Sequence, residues 1–172
     1  MRSKRALIGP NAENATVLAP DGGTAGMARA PRFKIADTAQ QIVGGFLLAG
    51  PFVVTEEVWV LAANMTWAHA LAVVGIVFGI GYGALYKADD DRDPDAEAEV
   101  AGIPVRFVSL MGVSFGSVAV LALAFTAPQT FLVEAGILPD PTPRVVLLTT
   151  LKAVAVGAIF SVVGAATADS VF

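Results

Sequence analysis

Four long apolar stretches dominate the chain: Ile42 to Ala63, Trp67 to Tyr86, Phe107 to about Val133, and Val145 to Ala168. Each meets or exceeds the roughly 20 residues that a helix needs to cross a hydrocarbon core. That core holds no water to satisfy backbone N–H and C=O groups, so a spanning segment must close its own hydrogen bonds as a helix. The third stretch contains Pro128, which cannot continue a helix without losing a hydrogen bond, so it is expected to end near Ala127 and run on as a broken or interfacial piece through Gly136. The sequence thus predicts an all-α polytopic membrane protein with four transmembrane helices over 42–63, 67–86, 107–127 and 145–168.

The rest of the composition narrows the chemistry. Hydrophobic residues make up 55% of the 172 and charged ones only 15%, against a mean hydropathy of +0.68, which excludes an ordinary soluble domain and a disordered chain. Lys and Arg number 11 against 15 Asp and Glu, the wrong balance for a nucleic-acid binder. With no cysteine and a single histidine, His69, neither thiolate nor multi-histidine metal sites can form, and no cofactor or metal is expected. Ser109, Ser114, Ser117 and Ser161 lack a histidine at matching depth to serve as base, so no enzymatic activity is expected.

Residues 1–36, punctuated by Pro10, Pro20, Gly22, Gly23, Gly26 and Pro31, read as a flexible basic N-terminal tail. Residues 87–106 carry Asp89, Asp90, Asp91, Asp93, Asp95, Glu97 and Glu99 and read as an aqueous acidic loop; such an Asp-rich surplus suits a surface kept hydrated at high salt. Lys and Arg near the spans set orientation. Arg29, Arg32, Lys34, Lys87, Arg92 and Arg106 fall on one side and only Arg144 on the other. Both termini are therefore expected in the cytoplasm, in a multi-pass plasma-membrane protein, with Trp59 and Trp67 as aromatic anchors around the outer turn.

Within lipid, helices associate through close approach of small residues. The second span carries Gly75, Gly79 and Gly83 at four-residue spacing, the fourth carries Ala153, Gly157, Ser161 and Ala165, and the third carries Gly112 and Gly116. A tight bundle and a homo-oligomer are expected. The first span holds the sharper feature. Gly50 and Pro51 loosen the helix, and Glu56 and Glu57 follow, each costing on the order of 3 kcal/mol at mid-span. Counted along straight helices, Lys152 lies at a similar depth, so a pair with one carboxylate is expected, leaving the other to bind or titrate; His69 stands near enough to join. Pro51 with Pro128 and Glu57 with Glu134 share one separation of 77 residues, the outline of an internal repeat of two helical hairpins.

The stretch Gly44 to Trp59, with Gly50-Pro51 followed by Thr55-x-Glu57-x-Trp59, resembles the opening span of a family of small integral-membrane proteins of unknown function from halophilic archaea and several bacterial groups. The resemblance runs from about Gln40 to the C-terminus and implies a membrane protein of four or more spans. It implies no activity, and it favours Glu57 over Glu56. The Thr-x-Glu-x-Trp spacing is also similar to the selectivity filter of bacterial voltage-gated sodium channels, in which carboxylates from several subunits ring a pore. Only Thr55 and Glu57 carry that likeness. The expected function is a cation channel or ion-coupled transporter acting through Thr55, Glu56 and Glu57, with Lys152 as counter-charge, a monovalent or divalent cation as partner and the lipid bilayer as surroundings. The alternative is a non-transporting scaffold or accessory subunit whose polar cluster is structural.

Overall fold

The computed structural model describes residues 35–86, 99–100 and 102–171, so most of the expected tail and of the acidic loop lies outside the described residues. The chain is an all-α polytopic bundle. Its helices are α1 (Ile35–Val53), α2 (Glu56–Asn64), α3 (Trp67–Tyr86), α4 (Val105–Ala124), a short π-helix (Pro128–Glu134) and α5 (Pro143–Val171). Just before α4, Glu99–Val100 (β1) pairs antiparallel with Ile103–Pro104 (β2), and the turn between them uses Gly102 at φ 77°, where a side chain would be strained. Three helices, α3, α4 and α5, are long and apolar enough to cross a membrane, and α1 with α2 makes a fourth if that bent pair is one span.

The first expected span, 42–63, is not one helix. It bends by 81° between α1 and α2. The break falls at Val54 and Thr55, past Pro51, which α1 accommodates in its last turn. A helix end in an apolar setting leaves carbonyls that need donors. Here the Thr55 hydroxyl donates to the Phe52 carbonyl at 2.8 Å and the Trp59 indole N–H to the Val53 carbonyl at 3.0 Å. Trp59, expected as an interface anchor, is only 1% exposed. Its ring stacks on Phe131 of the π-helix, so it joins the two breaks instead of marking a lipid boundary. The third stretch breaks likewise: α4 stops at Ala124, Thr126 takes a left-handed φ of 52°, and the π-helix opens on Pro128.

Long helix, break, short helix, long helix therefore occurs twice. The separation of 77 residues does not align the two copies, because Pro51 lies inside α1 while Pro128 opens the π-helix, and Glu57 sits in a first turn while Glu134 ends one. Packing is not repeated either. The backbones of α1 and α5 lie close together, whereas α3 and α4 stand further apart and meet through side chains such as Phe78, Tyr82 and Phe107.

Buried positions recur every four residues, the spacing that puts side chains in one row on a helix. On α1 the row is Gln41, Gly45, Ala49 and Val53; on α5 it is Thr149, Ala153, Gly157, Ser161, Ala165 and Asp169. The two rows run antiparallel. Gly44 and Gly164 meet backbone to backbone, so that a Cβ added to either would overlap the other's carbonyl oxygen. The Ser161 hydroxyl donates to the Gly45 carbonyl at 3.2 Å, and Phe52 stacks on Phe160. α4 closes the other side of α5, where Val118 occupies the space over Gly157. Of the α3 glycines, Gly81 makes contact, against Met111 and Val162, whereas Gly75, Gly79 and Gly83 face open space. Packing inside the chain thus uses the small residues of α1 and α5 and leaves the α3 glycine ridge uncovered.

Gly164→Ala is expected to destabilise the bundle by about 1–3 kcal/mol, the cost of overpacking a fitted contact. Gly79→Ala is expected to leave the monomer unchanged or slightly more stable, since it adds helix propensity into open space. Unfolding titrations of the purified protein in mixed micelles check both.

Candidate functional site

The residues expected to form one intramembrane cluster are distributed over separate places. Glu56 and Glu57 open α2, both exposed, and with Val60 and Leu61 they line a surface depression of about 490 Å³. The Thr55 hydroxyl is turned to its own chain as a cap. Lys152 is bonded to neither carboxylate: its Nζ donates to the Met65 carbonyl at 2.6 Å and stands 5.3 Å from the centre of the Trp67 ring. His69 is exposed and shares a 2.9 Å hydrogen bond with the Thr66 hydroxyl through Nδ1. Equal distances along the sequence did not become equal positions, because the bend turns α2 across the end of the bundle.

A second polar site lies at the opposite end, where α1 and α4 begin and α5 finishes. Arg106 there bridges two carboxylates, with Nη1 donating to Asp169 Oδ2 at 2.8 Å and Nη2 to Asp37 Oδ2 at 3.0 Å. Gln41, fully buried, donates through Nε2 to Asp169 Oδ1 at 3.1 Å and accepts from the Ser109 hydroxyl at 2.8 Å. With the Ser109 proton committed to Gln41, the Thr38 hydroxyl 3.3 Å away is the donor of the remaining contact. Three helices are tied together by one guanidinium. The Asp169 side chain has no exposure, that of Arg106 13% and that of Asp37 19%, so the charges are largely desolvated and the pairing must compensate for lost water.

Neither Gln41 nor Asp169 nor Arg106 figured among the expected site residues. Each lies one residue outside an apolar stretch, at the edges 42, 107 and 168, and on one common side. That coincidence is the signal from which the network could have been read. Between the two polar ends the interior is closely packed, mostly apolar, with the hydroxyls of Ser114, Ser117 and Ser161 buried in it. The space enclosed by Val53, Val58, Trp59, Val118, Ala122 and Gly157 is about 10 Å³, at the lower limit for one water and without polar lining to hold it. Among the described residues, no group of three or more His, Cys, Asp and Glu is placed to hold a metal ion.

Apolar helices of membrane-crossing length, broken segments capped by their own side chains and charges confined to the two ends define a polytopic helical membrane protein. The chain belongs to the family described as "Putative integral membrane protein (DUF2391)", which matches residues 11–171. No curated protein and no solved structure matches it.

Removing one member of the buried pair leaves a desolvated charge behind, at about 3–5 kcal/mol. Asp169→Asn is accordingly expected to cost more than Asp37→Asn, whose site is more exposed. Thermal unfolding of the two variants in detergent, against wild type, gives the ranking.

Proposed function

We propose that the protein handles cations as a homo-oligomer, with Glu56 and Glu57 at the mouth of the pathway and Thr55 fixing the break that presents them. The observation that carries this reading is the pair of adjacent exposed carboxylates opening α2, with no ion pair to either among the described residues, in a depression of about 490 Å³. A cation is the natural occupant of such a surface. Because the interior of one chain is tightly filled, the pathway is assigned to the junction between copies. The uncovered ridge of Gly75, Gly79 and Gly83 on α3 supports association of that kind. We also infer that the Arg106 end faces the cytoplasm, since it collects the Lys and Arg residues flanking the spans, and that the chain carries out no chemical conversion.

A second reading, a scaffold or accessory subunit, is favoured by a different observation. The Asp37–Arg106–Asp169 network joins α1, α4 and α5 to one another. Cation flux into proteoliposomes separates the two. Wild-type flux that falls at least tenfold in Glu57→Gln, with oligomer size unchanged, is the expected result. Absence of wild-type flux for several cations under an imposed voltage would sink transport and leave the scaffold.

A further inference from the structure

Lys152 sits in an unusual position for a membrane lysine. It is half-buried, and it projects from a row of apolar and small residues on α5. Of its three N–H donors, one is spent on the Met65 carbonyl. The positive charge rests against the face of Trp67, a favourable contact that does not neutralise it. No carboxylate lies within ion-pair distance of it among the described residues. A partly desolvated cation of this kind needs an anion.

Depth indicates which anion is at hand. Lys152 and Asp169 are 17 residues apart on one unbroken helix, about 26 Å at 1.5 Å per residue. The lysine also lies level with Trp67, the first residue of α3, whose 20 residues span about 30 Å. Both measures set it at one boundary of a hydrocarbon layer about 30 Å thick, with the Arg106 network at the other. Beside it runs the turn Met65–Thr66–Trp67, with the Met65 carbonyl and the Trp67 indole at the lysine and the Thr66 hydroxyl engaged by His69. A lysine stem reaching along an apolar helix towards a headgroup layer is the geometry in which such side chains extend to water and phosphate.

We propose that Lys152, with Trp67 beside it, binds the phosphate of an anionic lipid headgroup. The Met65 carbonyl and the Trp67 ring hold the ammonium in place, and the phosphate oxygen accepts one of its two remaining protons. The site recognises a phosphodiester with net negative charge over a zwitterionic one, because a choline or ethanolamine group would bring a second cation to a place that holds one already.

The test uses the full chain reconstituted in vesicles of phosphatidylcholine, with or without one third phosphatidylglycerol, and reads acetylation of Lys152 by mass spectrometry. Phosphatidylglycerol is expected to slow labelling at least fivefold. Phosphatidylglycerol retained through native mass spectrometry is expected to be lost in Lys152→Met and kept in Lys152→Arg, which also reports whether the lysine variants fold. Protection by inorganic phosphate in detergent, to the same extent, would uphold phosphate recognition and name the free ion as its source. Equal labelling in both vesicles would overturn the proposal. So would faster labelling in Glu57→Gln without change on adding phosphatidylglycerol, since the partner of Lys152 would then be a carboxylate of the protein. The wild-type labelling comparison needs no variant, so a misfolded mutant cannot obscure it.

Discussion

The backbone contact between Gly44 and Gly164 sets the register on which the rest of the bundle depends. Lipid tails are as apolar as the helices they surround, so close fit and hydrogen bonds between helices must hold two such helices together. Once those two glycines meet, the antiparallel rows of α1 and α5 follow without further choice. Gly45 comes under Ser161, Phe52 lies on Phe160, and Gln41 arrives opposite Asp169. A shift of either helix by one turn would carry the Gln41 amide away from the carboxylate it bonds, leaving both buried without each other. Packing in the middle and pairing at the end therefore select the same alignment.

The break after Val53 answers a different constraint. A chain that turns by 81° exposes carbonyls, and these must be bonded locally. Thr55 and Trp59 do this from the break itself and from the following helix, and the same indole then stacks on Phe131. The breaks after α1 and after α4 thus share one aromatic contact. Among the described residues the charges lie towards the two ends, with Asp37, Arg106 and Asp169 joined at one and Glu56, Glu57 and Lys152 in separate places towards the other.

Apolar length alone made the helical class and most of the helices legible in the sequence, because solvation of the backbone leaves a long apolar segment little alternative. Which face of each helix is buried was not legible on the same basis. Gly75, Gly79 and Gly83 have the small-residue spacing of a contact ridge, yet among the α3 glycines Gly81 makes the contact, and Gly44, outside any such ridge, is where α1 meets the backbone of α5. Hydropathy averages over faces and cannot choose among them. It also ends a span at the first polar residue, which placed Gln41, Arg106 and Asp169 in the flanks although their rows remain buried. The expected pairing of Lys152 with Glu56 or Glu57 failed for a third reason: depth was counted along straight helices, and α2 is turned aside.

α5 is a single helix of 29 residues, about 43 Å long, against a hydrocarbon layer of about 30 Å. The excess projects past that layer or is taken up by inclination of the rod or thickening of the surrounding lipid. α1 is fastened to it by backbone contact midway and by Gln41 at its end, and α4 by Arg106, so α5 cannot lean alone. Bilayer thickness thereby becomes a mechanical variable for the whole molecule: a thinner membrane inclines three helices together and swings the short helices at the far end relative to the lipid surface.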